Sequence, residues 1–287
     1  MSTAAAAFPP PPSALQPRAL LALLRLSLAG LSRLRRLISL CLLFALPMLL
    51  AALPRIAASL RGRPLDPLAL TEIEFVFAFV LLPHAVVPLA ALLFGSGMIN
   101  DEIEDQTLTY LLIRPLQRWS IYAVKLLASV LLVIFLCALF VPPLLFMIWW
   151  GQPSVDVPLA ELVARIGRLL VICSLAAFAY TAIFGCLGIL VRRILIVGAV
   201  YIIVFEGLLA SIPFVLREFT VMYYLRVLML SWLHIPEAAR HWGLEVDVIP
   251  EAASCVVTLL VVGTLATAFA CYLFSVREFR LKTPEGT

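Results

Sequence analysis

The stretch from Leu126 to Val155 reads LLASVLLVIFLCALFVPPLLFMIWWGQPSV and has no charged side chain. A helix of about 20 apolar residues crosses the hydrocarbon core of a bilayer, so this stretch is long enough to span one. Pro142 and Pro143 do not exclude a spanning helix, because neighbouring helices can satisfy the carbonyl groups that proline leaves unbonded. The stretch therefore predicts a membrane-spanning helix.

Further stretches along the chain have the same character, and only Glu206 interrupts one of them. Hydrophobic residues make up 63% of the chain and charged residues 13%, with a mean hydropathy of +1.09. A soluble domain carries roughly 25% charged residues on its surface, so this composition predicts an all-α membrane protein with six transmembrane helices. The predicted spans are 37–54, 75–98, 126–149, 169–191, 194–216 and 252–276.

The regions outside the six spans complete a predicted organisation of the chain. Residues 1–17 are rich in alanine and proline and are expected to be a disordered tail, and residues 277–287 form a second tail. With six spans and both termini in the cytoplasm, most of the 21 lysine and arginine residues lie on the cytoplasmic side. This arrangement agrees with the positive-inside rule.

Residues 18–36 are predicted to form an amphipathic helix in the plane of the membrane surface. Such helices place basic side chains on lipid headgroups and apolar side chains in the acyl region. The arginines of one face are Arg18, Arg25 and Arg36, and the leucines of another are Leu20, Leu24, Leu28, Leu31 and Leu34.

The apolar segment 219–236, just before span six, is not expected to cross the membrane. Arg226 lies near its middle, and an arginine at the bilayer centre costs about 2.5–3.5 kcal/mol on insertion scales. A seventh span would also move the basic C-terminal tail to the outer side. The segment is therefore predicted to be re-entrant or interfacial on the outer side.

The most informative polar segment follows span two, where residues 95–119 read GSGMINDEIEDQTLTYLLIRPLQRW. The pattern predicts a cytoplasmic helix that Asn100 caps, with the following carboxylates near its positive N-terminal end. Pro115 would end this helix. Arg114, Arg118 and Lys125 would hold the returning chain at the cytoplasmic interface. A capped, solvated loop without a partner explains these features equally well.

The ordered string of residues resembles the cytoplasmic signature of ABC-2 type transporter permeases from bacteria. That signature has an acidic turn, a Thr-Leu pair, a Leu-Leu pair, a proline, an arginine and a lysine. The glycines often found before the threonine and the lysine are replaced by Gln106 and Val124. The matching positions are Glu102, Glu104, Thr107, Leu108, Leu111, Leu112, Pro115, Arg118 and Lys125.

The resemblance implies the membrane-spanning permease subunit of an ATP-driven transporter, an exporter in the bacterial cytoplasmic (inner) membrane. Residues 18–36 would be its elbow helix, and the segment 99–118 a coupling helix that docks on a separate P-loop ATPase subunit. A second permease subunit, identical or different, would complete the complex, and ATP and Mg would bind to the ATPase. The coupling residues would be Asp101, Glu102, Glu104, Asp105, Thr107, Leu108, Leu111, Leu112, Arg114, Pro115 and Arg118.

No motif for chemistry within the chain itself is present. The sequence has no GxxxxGK[ST] loop, no HExxH and no GxSxG, and no His, Cys and carboxylate cluster with metal spacing. No catalytic residue, cofactor or metal is therefore expected, and the charge pattern indicates no nucleic acid partner. The cysteines stand singly in apolar runs and are interpreted as small apolar side chains on helix surfaces.

Glu206 is the carboxylate that sequence analysis places inside a span. An ionisable group there must face the bundle interior, a cavity or a partner, or be protonated. One hypothesis is a pathway or proton site, as in a secondary transporter. The other is a packing role against Ser174, Tyr180 or Thr181. A membrane component that assembles other proteins without transport is a further alternative, and His84 is interpreted as a packed side chain.

Overall fold

The computed structural model describes residues 17–31, 34–62, 65–104, 117–150, 157–191, 193–208, 215–233 and 250–276. These residues are almost all helical, and no strand occurs among them. The helices are α1 (Pro17–Leu31), α2 (Leu34–Leu60), α3 (Pro67–Ile73), α4 (Val87–Glu104), α5 (Arg118–Trp149), α6 (Leu159–Leu190), α7 (Ile194–Tyr201), α8 (Val221–Leu233) and α9 (Ala252–Val276). Two π-helical segments, Glu74–Val86 and Ile202–Leu208, continue α3 into α4 and extend α7.

Five of the six predicted spans correspond to helices that are long and apolar enough to cross a membrane. These are Arg36–Leu60, Pro67–Met98, Arg118–Trp149, Leu159–Leu190 and Ala252–Val276. The last has the predicted bounds, and the others extend beyond the charge-free runs. Helices tolerate charged residues at their ends, so the charge-free run marks only the part of each helix that needs an apolar environment.

The predicted fifth span, 194–216, is described only in part, because residues 209–214 lie outside the described residues. The described helix runs only from Ile194 to Leu208 and is shorter than a full crossing. A 3-10 turn at Val215–Phe219 then leads into α8. Six full-length spans are therefore not what the described residues show.

Helix α6 is the centre of the bundle. It packs against α4, α5, α7, α8 and α9, and it is the most buried of the long helices, whereas α2 and α9 are the least buried. Small residues on α6, such as Ala176, Ala177 and Gly185, let these neighbours approach closely. Helices α1 and α2 pack instead against α5.

The predicted interfacial helix 18–36 corresponds to α1 and the start of α2. Helix α1 packs against α5. Its exposed residues include Arg18 and Arg25, while Leu23 and Leu31 are buried. The apolar face of α1 is therefore covered at least in part by protein. That α1 lies at the membrane surface stays a prediction.

Candidate functional site

The acidic segment after span two continues the helix that comes out of the membrane. Asp101, Glu102 and Glu104 lie in the last described turn of α4, which begins at Val87. The proposed coupling positions Asp105, Thr107, Leu108, Leu111, Leu112, Arg114 and Pro115 lie outside the described residues. Arg118 begins α5 and is exposed.

The predicted capping role of Asn100 is wrong. Asn100 lies inside the continuous helix α4 and does not begin a new one. The carboxylates that follow are therefore far from the helix N-terminus, and the positive end of the macrodipole does not stabilise them. For Asp101, Glu102 and Glu104, the described carboxylates of this run, an N-terminal cap and the helix dipole are thus removed as explanations.

The ends of three spans next to the acidic segment form one tight junction. The Nζ atom of Lys125 in α5 donates a hydrogen bond to the Met98 carbonyl of α4 at 3.2 Å. In α4, Gly95 lies against the backbone of Gly185 in α6, where an added Cβ would meet the Gly185 nitrogen at 3.2 Å. Lys125 is buried in protein and links the outgoing and returning helices on either side of the acidic segment.

Glu206 is fully buried and accepts hydrogen bonds at both carboxylate oxygens. Its Oε1 atom accepts one from the Tyr201 hydroxyl at 3.1 Å, and its Oε2 atom accepts one from the Met222 backbone N–H at 2.8 Å. Tyr180 also lies beside the carboxylate, without a well-formed hydrogen bond to any described residue. Of the three packing partners suggested by the sequence, Tyr180 is the one found near Glu206.

The Tyr201 contact depends on the π-helical turn that follows α7. In an α-helix, side chains three and four positions apart share a face, whereas Tyr201 and Glu206 are five positions apart. The wider i to i+5 turn of a π-helix brings such a pair onto one face. Sequence analysis missed Tyr201 for this reason.

Two further buried polar side chains, Arg226 and His84, extend the cluster that begins at Glu206. Arg226 of α8 is buried and lies within electrostatic range of Glu206, Tyr180 and His84. His84, in the first π-helical segment, is buried as well, and its Nδ1 atom lies 2.9 Å from the Val80 carbonyl oxygen. The charge of Arg226 therefore lies inside the protein, near a carboxylate.

A further ionic cluster, at the opposite end of the bundle from Lys125, was not predicted from the sequence. Arg165 of α6 contacts the buried Glu74 at 3.1 Å and the exposed Glu161 at 3.0 Å, and its guanidinium lies over the Trp149 ring. Through these contacts Arg165 links the π-helical segment Glu74–Val86 of span two to α5 and α6. Glu74 and Arg165 are 91 positions apart, and no sequence pattern links them.

A comparison with protein families gives a match over residues 31–210, more than half of the chain. The matching family is the ABC-2 family transporter protein. The chain belongs to this family. No curated protein gives a match.

Family membership and the apolar helices make the protein an integral membrane transport permease. The matched region contains the acidic segment and ends just beyond Glu206, so it covers both candidate sites that the sequence analysis named. Helices α8 and α9 follow it. The permease family consists of membrane transport subunits, and the chain is a transport subunit rather than an enzyme in its own right.

Proposed function

We propose that this permease is the membrane-spanning half of an ATP-driven exporter and couples to a separate P-loop ATPase through residues 99–118. The observation that carries the proposal is the unbroken helical path from Pro67 through the first π-helical segment to Glu104. A displacement of the acidic end would move this path as one unit. Family membership supports a permease that works with an ATPase partner.

The acidic run favours a docking role over a solvated loop. Neither a cap nor the helix dipole stabilises Asp101, Glu102 and Glu104, which lie far from the N-terminus of α4. A basic cleft on a partner would stabilise such carboxylates by charge complementarity. ATP and Mg would bind to that partner, and a second permease copy or a related subunit would complete the pathway.

The junction at the cytoplasmic ends supports transmission of movement to the rest of the bundle. Lys125 joins α5 to α4, and the close approach at Gly95 and Gly185 joins α4 to α6. Packed interfaces of this kind move as units rather than deform. ATP binding on the partner would thus shift α4, α5 and α6 together and open the pathway outward.

The geometry of Glu206 gives less support to a secondary transporter. Both of its oxygens are engaged by donors of the same chain, and the side chain has no exposed surface. A carboxylate that carries a proton or ion must be reached from an aqueous side during the cycle. Transport that continues without ATP but stops when the proton gradient collapses would favour that alternative.

Charge reversal tests the docking proposal. The double variant Glu102→Lys/Glu104→Lys is expected to reduce co-purification of the P-loop ATPase more than about tenfold, because like charges would face each other across the interface. The matched control is Asp66→Lys/Glu72→Lys, which reverses two exposed carboxylates at the other end of span two and should leave co-purification unchanged.

Two outcomes would contradict the proposal. Unaltered association of the Glu102→Lys/Glu104→Lys variant with the ATPase would remove the docking role of the acidic segment. Purification of the intact permease with a partner that has no ATPase would favour the non-transporting assembly component instead.

A further inference from the structure

Helix α8 begins inside the protein, at the depth of Glu206. Its Met222 amide contacts Glu206, which lies near Tyr180 in the inner half of α6. At the other end of α8, the Trp232 carbonyl accepts a hydrogen bond from Arg168 in the outer half of α6 at 2.8 Å. Helix α8 therefore lies alongside α6 and is not flat on the membrane surface, so these contacts favour the re-entrant alternative.

A helix that begins at this depth has unsatisfied backbone donors that water does not reach. The first four N–H groups of any helix lack partners within the helix, and each unsatisfied group costs several kcal/mol in an apolar environment. Residues Val221, Met222, Tyr223, Leu225 and Arg226 are all buried. The donors in the first turn of α8 therefore need acceptors supplied by protein.

Two side chains supply those acceptors. The Thr220 hydroxyl accepts a hydrogen bond from the Tyr223 N–H at 3.3 Å and donates one to the Arg217 carbonyl at 2.7 Å. This is the ordinary local cap of a helix N-terminus. Glu206 accepts a hydrogen bond from the Met222 N–H, and the Val221 amide lies close to the same carboxylate. The second cap thus comes from another helix.

The negative charge of Glu206, like its acceptor oxygens, suits a position at the N-terminus of α8. The N-terminus of a helix carries a partial positive charge of about half a unit, which favours an anion. The guanidinium of Arg226 lies in the second turn of the same helix and within electrostatic range of the carboxylate. Glu206 therefore faces positive charge from the backbone and from a side chain.

We propose that Glu206 is a positioning residue. It lies in the π-helical segment that extends α7 and supplies an anionic cap to the N-terminus of α8. The bond joins two helices, each too short to cross the membrane, into one unit. Tyr201 holds the carboxylate in place from the neighbouring turn. Glu206 thereby fixes the depth at which α8 begins.

Hydrogen exchange of backbone amides measures this cap directly. The permease in lipid nanodiscs is compared as wild type, Glu206→Met and Glu206→Gln, and exchange is followed in a peptide covering 217–228. Methionine matches the length of glutamate but has no oxygen, so the amides are expected to exchange roughly tenfold faster, as for the loss of a helix cap. Glutamine keeps an acceptor but loses the charge, so the amides of the Glu206→Gln variant are expected to exchange roughly threefold faster than those of the wild type.

The matched control is Glu74→Met, which removes the other buried carboxylate among the described residues. It should leave exchange in the 217–228 peptide at the wild-type rate, and peptides from α6 report whether each variant is folded. The Thr220→Ala variant should accelerate amide exchange in the same peptide, because it removes the local cap.

Wild-type exchange in this peptide for a folded Glu206→Met variant would overturn the proposal and leave a pathway role for Glu206. If Glu206→Met does not fold, the Glu206→Gln variant decides. Unchanged exchange in that variant would show that the carboxylate charge does not hold the helix, which would overturn the anionic cap.

Discussion

Gly185 shows how a single missing side chain permits the packing at the end of the bundle next to the acidic segment. A Cβ atom there would lie 2.7 Å from the Tyr122 hydroxyl oxygen and 2.8 Å from Met98 Cε. Tyr122 is fully buried, and its ring packs against Phe274 at 6.0 Å between centroids. The tyrosine therefore has little room to move away.

The Gly185→Ala variant is expected to lose about 1–3 kcal/mol of stability, as overpacked cores do. The measurement is the apparent melting temperature of the purified permease in detergent, which should fall by several degrees. The control is Gly167→Ala in the same helix, where an added Cβ meets nothing within 4 Å. Alanine favours helix at such a site, so its melting temperature should stay the same or rise. Equal decreases for both variants would contradict the packing argument.

At the scale of the residue, the sequence identified Glu206 and its neighbour Tyr180 but not its hydrogen-bond partners Tyr201 and Met222. A carboxylate in an apolar run is visible without a structure, because its desolvation demands an explanation. Its contacts come from Tyr201, through a π-helical turn that periodicity does not reveal, and from a backbone amide 16 positions away. The Glu74 and Arg165 pair was missed because long-range pairing leaves no local pattern.

At the scale of the element, α8 is held at both ends by side chains of other helices. Glu206 lies at its N-terminus, and the Arg168 guanidinium donates to the Trp232 carbonyl near its C-terminus. Each charge has the sign that the helix dipole favours at that end. The pairing explains how a helix of 13 residues can keep its place between longer spans.

Removing the outer contact should loosen only that end of α8. The Arg168→Met variant is expected to speed amide exchange at 229–233 several-fold, since the hydrogen bond is exposed and solvent screening limits its worth to about 1 kcal/mol. Exchange at 217–228 should change less. The Arg168→Lys variant keeps the charge and a donor and should lie nearer the wild type. Uniform acceleration along α8 in Arg168→Met would indicate that the helix unfolds as one unit.

The helices themselves were predictable where apolar length alone decides them. Span six begins and ends where the charge-free run does, at Ala252 and Val276. Span two was predicted too short, because Glu74 was taken as a boundary although Arg165 allows it to be buried inside the helix. Span five, 194–216, stays a prediction beyond Leu208, where the described helix ends and residues 209–214 lie outside the described residues.

At the scale of the whole molecule, the described helices constrain the number of crossings. The long helices α2, α5 and α6, the chain 67–104 and α9 make five. Helix α7 with its π-helical extension rises to the depth of Glu206, and α8 continues outward from that depth to Arg168. We propose that the two short helices together complete one further crossing, which would place both termini on the same side.

Reporter fusions test this topology. Green fluorescent protein fused after Thr287 is expected to fluoresce, and alkaline phosphatase at the same position to be inactive, because the C-terminus is proposed to be cytoplasmic. Alkaline phosphatase inserted between Leu60 and Leu65 should be active. Activity of alkaline phosphatase fused after Thr287 would mean that α7 and α8 together do not cross the membrane.

The general architecture was accessible from the sequence because lipid imposes a simple rule on composition. A chain with 63% hydrophobic residues has few alternatives to a bundle of apolar helices. The order of contacts within the bundle was not accessible. It depends on shape, such as the close approach at Gly95 and Gly185 and the wide turns of the π-helical segments, which composition does not encode.

The central position of α6 has a consequence for biogenesis. Chains are synthesised from the N-terminus at about 5–20 residues per second, and Leu159–Leu190 emerges only after α2, α4 and α5 have been made. Until then α4 and α5 lack the central surface against which both of them pack, and Arg165 is not available to Glu74. During this interval Glu74 of the nascent permease therefore lies in the bilayer without its partner Arg165. A chaperone or insertase that shelters polar groups in lipid would act during this interval.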